Sequence, residues 1–224
     1  MELATGTGSG KYEQLLEQCR SLPPVLTAVA YPCEAHALTG AVDAWKKKLI
    51  VPILIGPASK IAATAKSVGV DLGALEVVDV PHSHAAAEKA VELVRAGRGE
   101  VLMKGSLHTD IVMSAVVSRE AGLRTGRRIS HAFLMDVPTY HKMLIVTDGA
   151  INIAPALEDK MDICQNAIDL AVSLGQERPK VAILAAVETV TSKMPATIEP
   201  VRARVRINVE QGRGAAVRWL LSNP

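Results

Sequence analysis

Short apolar runs alternate with longer amphipathic stretches along most of the chain. Seven of the runs read as strands: VLTAVAY (25–31), LIVPILI (49–55), EVVDV (76–80), VLM (101–103), ISHAFLM (129–135), KMLIVT (142–147) and KVAILAA (180–186). Most are apolar at every position, as a strand covered on both faces requires. The helix-length segments between them are what parallel strands need as connections. An α/β fold follows, α/β/α in layering, with mostly parallel sheets.

Helix limits are also marked. Ser83 is expected to cap a helix running through Arg95, Thr109 one through about Glu120, and Pro155 opens another with Glu158 and Asp159 in its first turns. Gly97 and Gly175 stand where stops are expected. Residues 135–142 are too few for a crossover helix, so the strands on either side should pair antiparallel. GLRTGRR (122–128), basic and glycine-bearing, is the expected link between a first lobe at 1–125 and a second at 126–200. Residues 201–224 differ, with five Arg and no Lys, and apolar residues alternate with Arg or Asn from Val201 to Val209. That pattern predicts a strand with one basic face at an exposed sheet edge.

Composition removes several function classes. A formal net charge of +2, with 21% charged residues, gives no electrostatic footprint for nucleic acid, and 3% aromatics supply no stacking platform for single strands. The start MELATGTGSGKYEQ lacks a basic and apolar leader, and the longest apolar stretch, LIVPILIG (49–56), is too short to cross a bilayer. Cys19, Cys33 and Cys164 form neither an even set nor a CxxC, which fits reduced thiols and a cytoplasmic location. The expected partners are small molecules, with no nucleic acid and no membrane.

Several motifs are weak on inspection. GTGSGK (6–11) has the wrong spacing for a phosphate loop, Tyr12 in place of Ser or Thr, and no strand before it. His82 and His84 of PHSH read as loop residues without a third metal partner, so no metal site is expected. VLMKGSLHTD (101–110) is better placed, because open parallel sheets bind ligands beyond the carboxyl ends of their strands. Amides at a helix start attract anions, Gly105 would let one approach the main chain, and Lys104 and Ser106 add a cation and a hydroxyl. The helix end contributes only about 0.3–1 kcal/mol, so selectivity needs other loops. Two more strand exits are polar: one carries Asp148, Gly149 and Asn152, the other Glu188, Thr189, Thr191, Ser192 and Lys193. Each by itself also reads as ordinary turn chemistry.

Taken together, MKGSLHTD, ISHAFLMDVPTYHKMLIVTDGAINIAPALEDKMDICQNAIDLAVSLG, PKVAILAAVETVTSKMPAT and VPILIGP resemble the phosphate acetyl/butyryltransferase family, in order and at fitting separations, over roughly 25–199. The resemblance implies two α/β lobes with an active-site cleft between them, exchange of a short acyl group between coenzyme A and inorganic phosphate, coenzyme A as co-substrate, no tightly bound cofactor and a homo-oligomer. On that reading Lys104, Gly105, Ser106 and Thr109 take the phosphoryl end, with Ser106 in the reaction itself. Asn152, Thr191, Ser192 and Lys193 become further substrate contacts. The thiol, with a pKa near ~8.5 if it behaves as cysteine does, must lose a proton, and Asp148 and Glu188 are the geometric choices for its acceptor. Family members continue past KMPAT with a stretch bearing a Ser-Arg pair and an acidic residue implicated in catalysis, whereas 201–224 leaves that pattern, so an uncovered sheet edge is expected. Two other classes stay open: a non-catalytic chain that binds coenzyme A or phosphate or docks a partner, and a two-lobed dehydrogenase, for which metal-binding carboxylates are lacking.

Overall fold

The computed structural model describes residues 10–73, 75–184 and 216–219. By internal contacts the chain divides into two units. One is Glu13–Thr125, and the other gathers the chain from Gly126 onward together with Lys11 and Tyr12.

The first unit holds β1 (Val25–Ala30), α2 (Ala35–Lys46), β2 (Ile50–Gly56), α3 (Ala58–Ser67), β3 (Glu76–Asp79), α4 (Ser83–Arg95), β4 (Val101–Lys104) and α5 (Thr109–Val116), preceded by most of α1 (Lys11–Arg20). Its four strands are all parallel, in the order β3-β2-β1-β4. Alternate residues of β1 and β2 feed two cores. Ala28, Ala30, Ile53 and Ile55 pack with Ala86, Ala87, Ala90 and Leu93 of α4 and Val112 of α5. Val29 and Leu54, pointing the other way, pack with Leu38, Ala41 and Val42 of α2 and Ile61 and Ala65 of α3. Helices on both faces are the physical reason these strands are apolar at every position. The chain winds from β1 to β3 in one direction, then returns through α4 to place β4 on the far side of β1. The strand order therefore reverses between β1 and β4.

The second unit contains β5 (Ala132–Met135), β6 (Leu144–Thr147), α6 (Leu157–Ser173), β7 (Lys180–Ile183) and β8 (Ala216–Trp219). The expected antiparallel pair is present, with Phe133 opposite Val146 and Met135 opposite Leu144. Those four side chains share one face and all are exposed. Cys164 and Ile168 of α6 pack against Val181 and Ile183 of β7, which pairs parallel with β8. The alternating stretch 201–209 lies outside the described residues.

Helix ends match the sequence in part. Gly97 and Gly175 take left-handed φ of 71° and 88°, and their N–H groups donate to Val94 and Val172 while those of Arg98 and Gln176 reach back to Leu93 and Ala171. The cap of α4 is His82 rather than Ser83: its Nδ1 accepts from the Ala85 N–H at 3.2 Å. Helix α5 stops at Val116, short of Glu120, where Leu123 N–H closes back on the Val116 carbonyl. Helix α6 opens at Leu157, two residues after Pro155, with the Asp159 carboxylate accepting from Ala156 N–H. Half of the expected linker is pinned: Arg127 pairs with Asp169 at 2.6 Å, and Arg128 N–H donates to Asp162. Lys11 of GTGSGK is likewise committed, to Asp136 at 3.1 Å and the carbonyls of Val137 and Tyr140.

Leu54 is fully buried in the core that α2 and α3 cover in the first unit. Leu54→Ala is expected to lower its stability by about 2–5 kcal/mol, read as a lower urea midpoint at unchanged slope.

Candidate active site

At the carboxyl end of the first unit's sheet, the exits of β1 and β4 meet. Gly105 N–H donates to the Ala30 carbonyl at 2.8 Å and Ser106 N–H to the Tyr31 carbonyl at 2.9 Å. A Cβ on residue 105 would lie 2.5 Å from the Tyr31 oxygen and 2.6 Å from that of Ala30, so only glycine fits. The space that the sequence suggested for an anion at Gly105 is filled here by the protein's own main chain. The Ser106 hydroxyl donates to the Tyr31 carbonyl at 2.8 Å and accepts from Cys33 N–H at 3.1 Å. Tyr31 itself has a φ of 57°, unusual for a side chain of its size.

Around this junction the helix starts divide into two kinds. Helix α3 is closed by Asp79, whose Oδ1 accepts from Ala58 N–H at 2.8 Å, and α4 is closed by His82. Helices α2 and α5, which flank the strand-order reversal, have no side-chain cap at Glu34 or His108. Lys104 and Thr109 are exposed beside them, and the Lys104 ammonium donates over a long 3.4 Å to the carbonyl of Gly105. Lys60 lies across the same edge, 3.3 Å from the Tyr31 hydroxyl and 5.9 Å from its ring centre. Burial pushes the Cys33 thiol up, with Lys60 opposing and Glu34 adding to the rise. Tyr31, Cys33 and Lys60 were not singled out in the sequence. The signal was there in AYPCE (30–34), a strand exit leading into a helix as in MKGS.

In the second unit Asp148 and Asn152 form a closed loop. The Asp148 carboxylate accepts from the N–H groups of His131, Ala150, Ile151 and Asn152 at 3.0–3.3 Å and from the Asn152 side-chain amide. Partial burial alone would raise its pKa. The N–H groups of Ile151 and Ala150 and both donors of Asn152 outweigh that and hold it at about 2. A carboxylate so well solvated by donors is a weak base at neutral pH, which removes the physical ground for Asp148 as the proton acceptor. Asn152 has no free end either: its amide also donates to the Ile129 carbonyl at 3.0 Å, and its Oδ1 accepts from Arg128 Nε at 2.8 Å. Glu188, Thr189, Thr191, Ser192 and Lys193 lie outside the described residues. Of the expected site, then, Lys104, Gly105, Ser106 and Thr109 are gathered at one edge, and Asp148 and Asn152 at one loop.

An open hollow of about 560 Å³ lies at the amino end of the first unit's sheet, lined in part by Leu26, Trp45, Val51, Glu76 and Arg98. That end faces away from the helix starts, so its volume does not bear on anion binding. Among the described residues no His, Cys, Asp and Glu cluster could hold a metal ion.

A sequence model for the family described as Phosphate acetyl/butaryl transferase matches residues 81–217. The chain belongs to this family. It is 57% identical over 189 residues to the phosphate acetyltransferase of Rhizobium meliloti, an alignment covering 84% of the chain and 60% of that protein. With the phosphate butyryltransferase of Clostridium acetobutylicum it shares 35% over 188 residues, covering 84% of the chain and 62% of that protein. A phosphotransacetylase structure from Streptococcus pyogenes superposes with a TM-score of 0.76 at 15% identity, covering 92% of the chain and 71% of that structure. A branched-chain phosphotransacylase from Enterococcus faecalis V583 gives 0.65 at 24%, with 89% and 68% covered. The chain thus spans about three fifths of these two curated transferases. The two structures share its α/β fold.

Two outcomes are expected from this geometry. Gly105→Ala forces the β1 and β4 exits apart and should destabilise the first unit by at least about 1–3 kcal/mol in urea unfolding. The folded Asp148 pKa lies below the ordinary 3.8, so its contribution is complete above about pH 4 and is lost as pH falls toward 2. Allowing for screening, that contribution is on the order of 1–2 kcal/mol. Asp148→Asn should flatten this acid limb in unfolding curves measured across that range.

Proposed function

We propose that the chain holds the phosphate of its substrates where the strand order reverses, and that the protein transfers a short acyl group between coenzyme A and inorganic phosphate. The observation that carries this reading is the pair of uncapped helix starts, α2 and α5, beside Lys104 and Thr109. Backbone N–H groups at a helix start, together with a lysine, suit a dianion. The same arrangement stabilises phosphate as it departs from an acyl phosphate, and orients it when it attacks a thioester in the reverse direction.

In the forward direction the coenzyme A thiolate attacks the acyl carbon, the acyl C–O bond to phosphate breaks, and phosphate leaves as the dianion once its freed oxygen takes up the proton that the thiol gave. Lys104, the amides at the starts of α2 and α5 and the Thr109 hydroxyl would stabilise that leaving charge. Glu188 remains the proposed proton acceptor, and Thr191, Ser192 and Lys193 the proposed second set of substrate contacts. Asp148, Gly105 and Asn152 are assigned no contact with substrate and shape their loops instead. Coenzyme A enters as co-substrate, without a tightly bound cofactor. The two lobes at 1–125 and 126–200, the tail at 201–224, a cytoplasmic location and a homo-oligomer belong to the same proposal. Sedimentation velocity tests the last of these. No helix among the described residues is long and apolar enough to cross a membrane.

The decisive assay mixes acetyl-CoA or butyryl-CoA with inorganic phosphate and follows thiol release. Release that depends on phosphate is expected. None at high protein concentration, while phosphate still binds, would leave a binding protein only. In the active case Lys104→Ala should raise the KM for phosphate about tenfold, as loss of a charge-assisted hydrogen bond does.

A further inference from the structure

The Ser106 hydroxyl sits at the centre of the proposed phosphate site, yet its chemistry is already spent. A serine hydroxyl has one proton to donate. Here that proton goes to the Tyr31 carbonyl at 2.8 Å, and the oxygen accepts the Cys33 N–H at 3.1 Å. A phosphate dianion recruits donors, and Ser106 Oγ has none left to offer. The same carbonyl receives the Ser106 N–H at 2.9 Å, so residue 106 grips Tyr31 twice. Tyr31 occupies the left-handed region at φ 57°, a conformation that persists only when its surroundings over-determine it. Two residues later comes Cys33, and directly after it Glu34 and the uncapped start of α2. Residue 106 therefore joins two segments more than 70 positions apart in sequence, and each runs into an open helix start.

We propose that Ser106 is a positioning residue: it contacts no substrate, and its hydroxyl clasps the β1 exit to the β4 exit so that the starts of α2 and α5 converge on one anion. The inference rests on the phosphate reading of this junction. A role in the reaction itself, which the sequence suggested, requires the clasp to open and to release the Tyr31 carbonyl and the Cys33 N–H that the hydroxyl holds.

The test uses the full chain as wild type, Ser106→Ala and Ser106→Thr. Without ligand, hydrogen exchange of the Cys33 amide reports the clasp. It should be at least tenfold faster in the alanine variant and near wild type in the threonine variant. Titration with inorganic phosphate is then followed through backbone amide shifts. In wild type, amides at the starts of α2 and α5 should respond with one common Kd. In Ser106→Ala the α5 amides should keep responding with Kd raised about tenfold, while those of α2 fall silent, and Ser106→Thr should restore the joint response. Unchanged Cys33 exchange in the alanine variant overturns the clasp. Equal weakening at both helix starts also overturns the proposal, because it marks the hydroxyl as a ligand. A wild type that shows no phosphate response at either start, with Cys33 exchange still accelerated by the alanine change, sinks the phosphate reading and with it the purpose assigned to the clasp.

Discussion

Strand β4 can leave the sheet hard against β1 only because it does so at a residue with no side chain. The Ala30 and Tyr31 carbonyls stand so near residue 105 that a single Cβ would collide with both. Everything at the carboxyl edge inherits this contact. It brings the Gly105 and Ser106 amides within bonding range of β1, fixes the carbonyl that the Ser106 hydroxyl grips, and sets where α5 begins. At the carboxyl edge the β1–β4 ladder is thus closed by main-chain packing at Gly105 and by the bonds of residues 105 and 106, above a core shared with Leu102, Leu107 and Val112. Position 105 would read as a generous site for a ligand if the neighbouring strand were unknown. With that strand present it is a point of closure.

The architecture was legible because two-sided burial leaves a plain trace. Ile53, Leu54 and Ile55 face alternate cores, and a run of this kind has no economical explanation except helices above and below. Gly97 and Gly175 were legible for a local reason, since a helix that ends on a left-handed residue favours glycine whatever lies around it. His82 was not, although it lies next to the residue expected to cap α4. An imidazole accepts from an N–H as a serine oxygen does, but capping preferences rank Ser first. The early stop of α5 depends on a turn through Gly122 that residue preferences alone do not predict.

Site residues were harder to read for a different reason. Whether a polar side chain binds a substrate depends on what else already holds it, and those partners are remote. Ser106 is occupied by residues 73 and 75 positions away. Asn152 is occupied by Ile129 and Arg128, 23 and 24 positions away. Asp148 shows the effect most clearly. A loop carboxylate looks like a base until the donors around it are counted, and the N–H groups of Ile151 and Ala150 with both donors of Asn152 hold it at about 2. Its position suggested one chemistry, and its hydrogen bonds enforce another.

The helix starts give this division of roles an energetic form. A missing side-chain cap costs a helix about 1 kcal/mol. In the first unit that deficit falls on α2 and α5, while α3 and α4 are closed by Asp79 and His82. The closed pair follows β2 and β3, both on one side of the reversal, where Asp79 ends β3 and caps the helix that follows β2. The open pair flanks the one place where the strand order reverses, and it is there that the proposal places a single anion between them. If capping were distributed only for stability, all four starts would be expected to gain equally from a side-chain oxygen or nitrogen. Unequal capping, aligned with the reversal of strand order, is the pattern on which the proposed phosphate site rests.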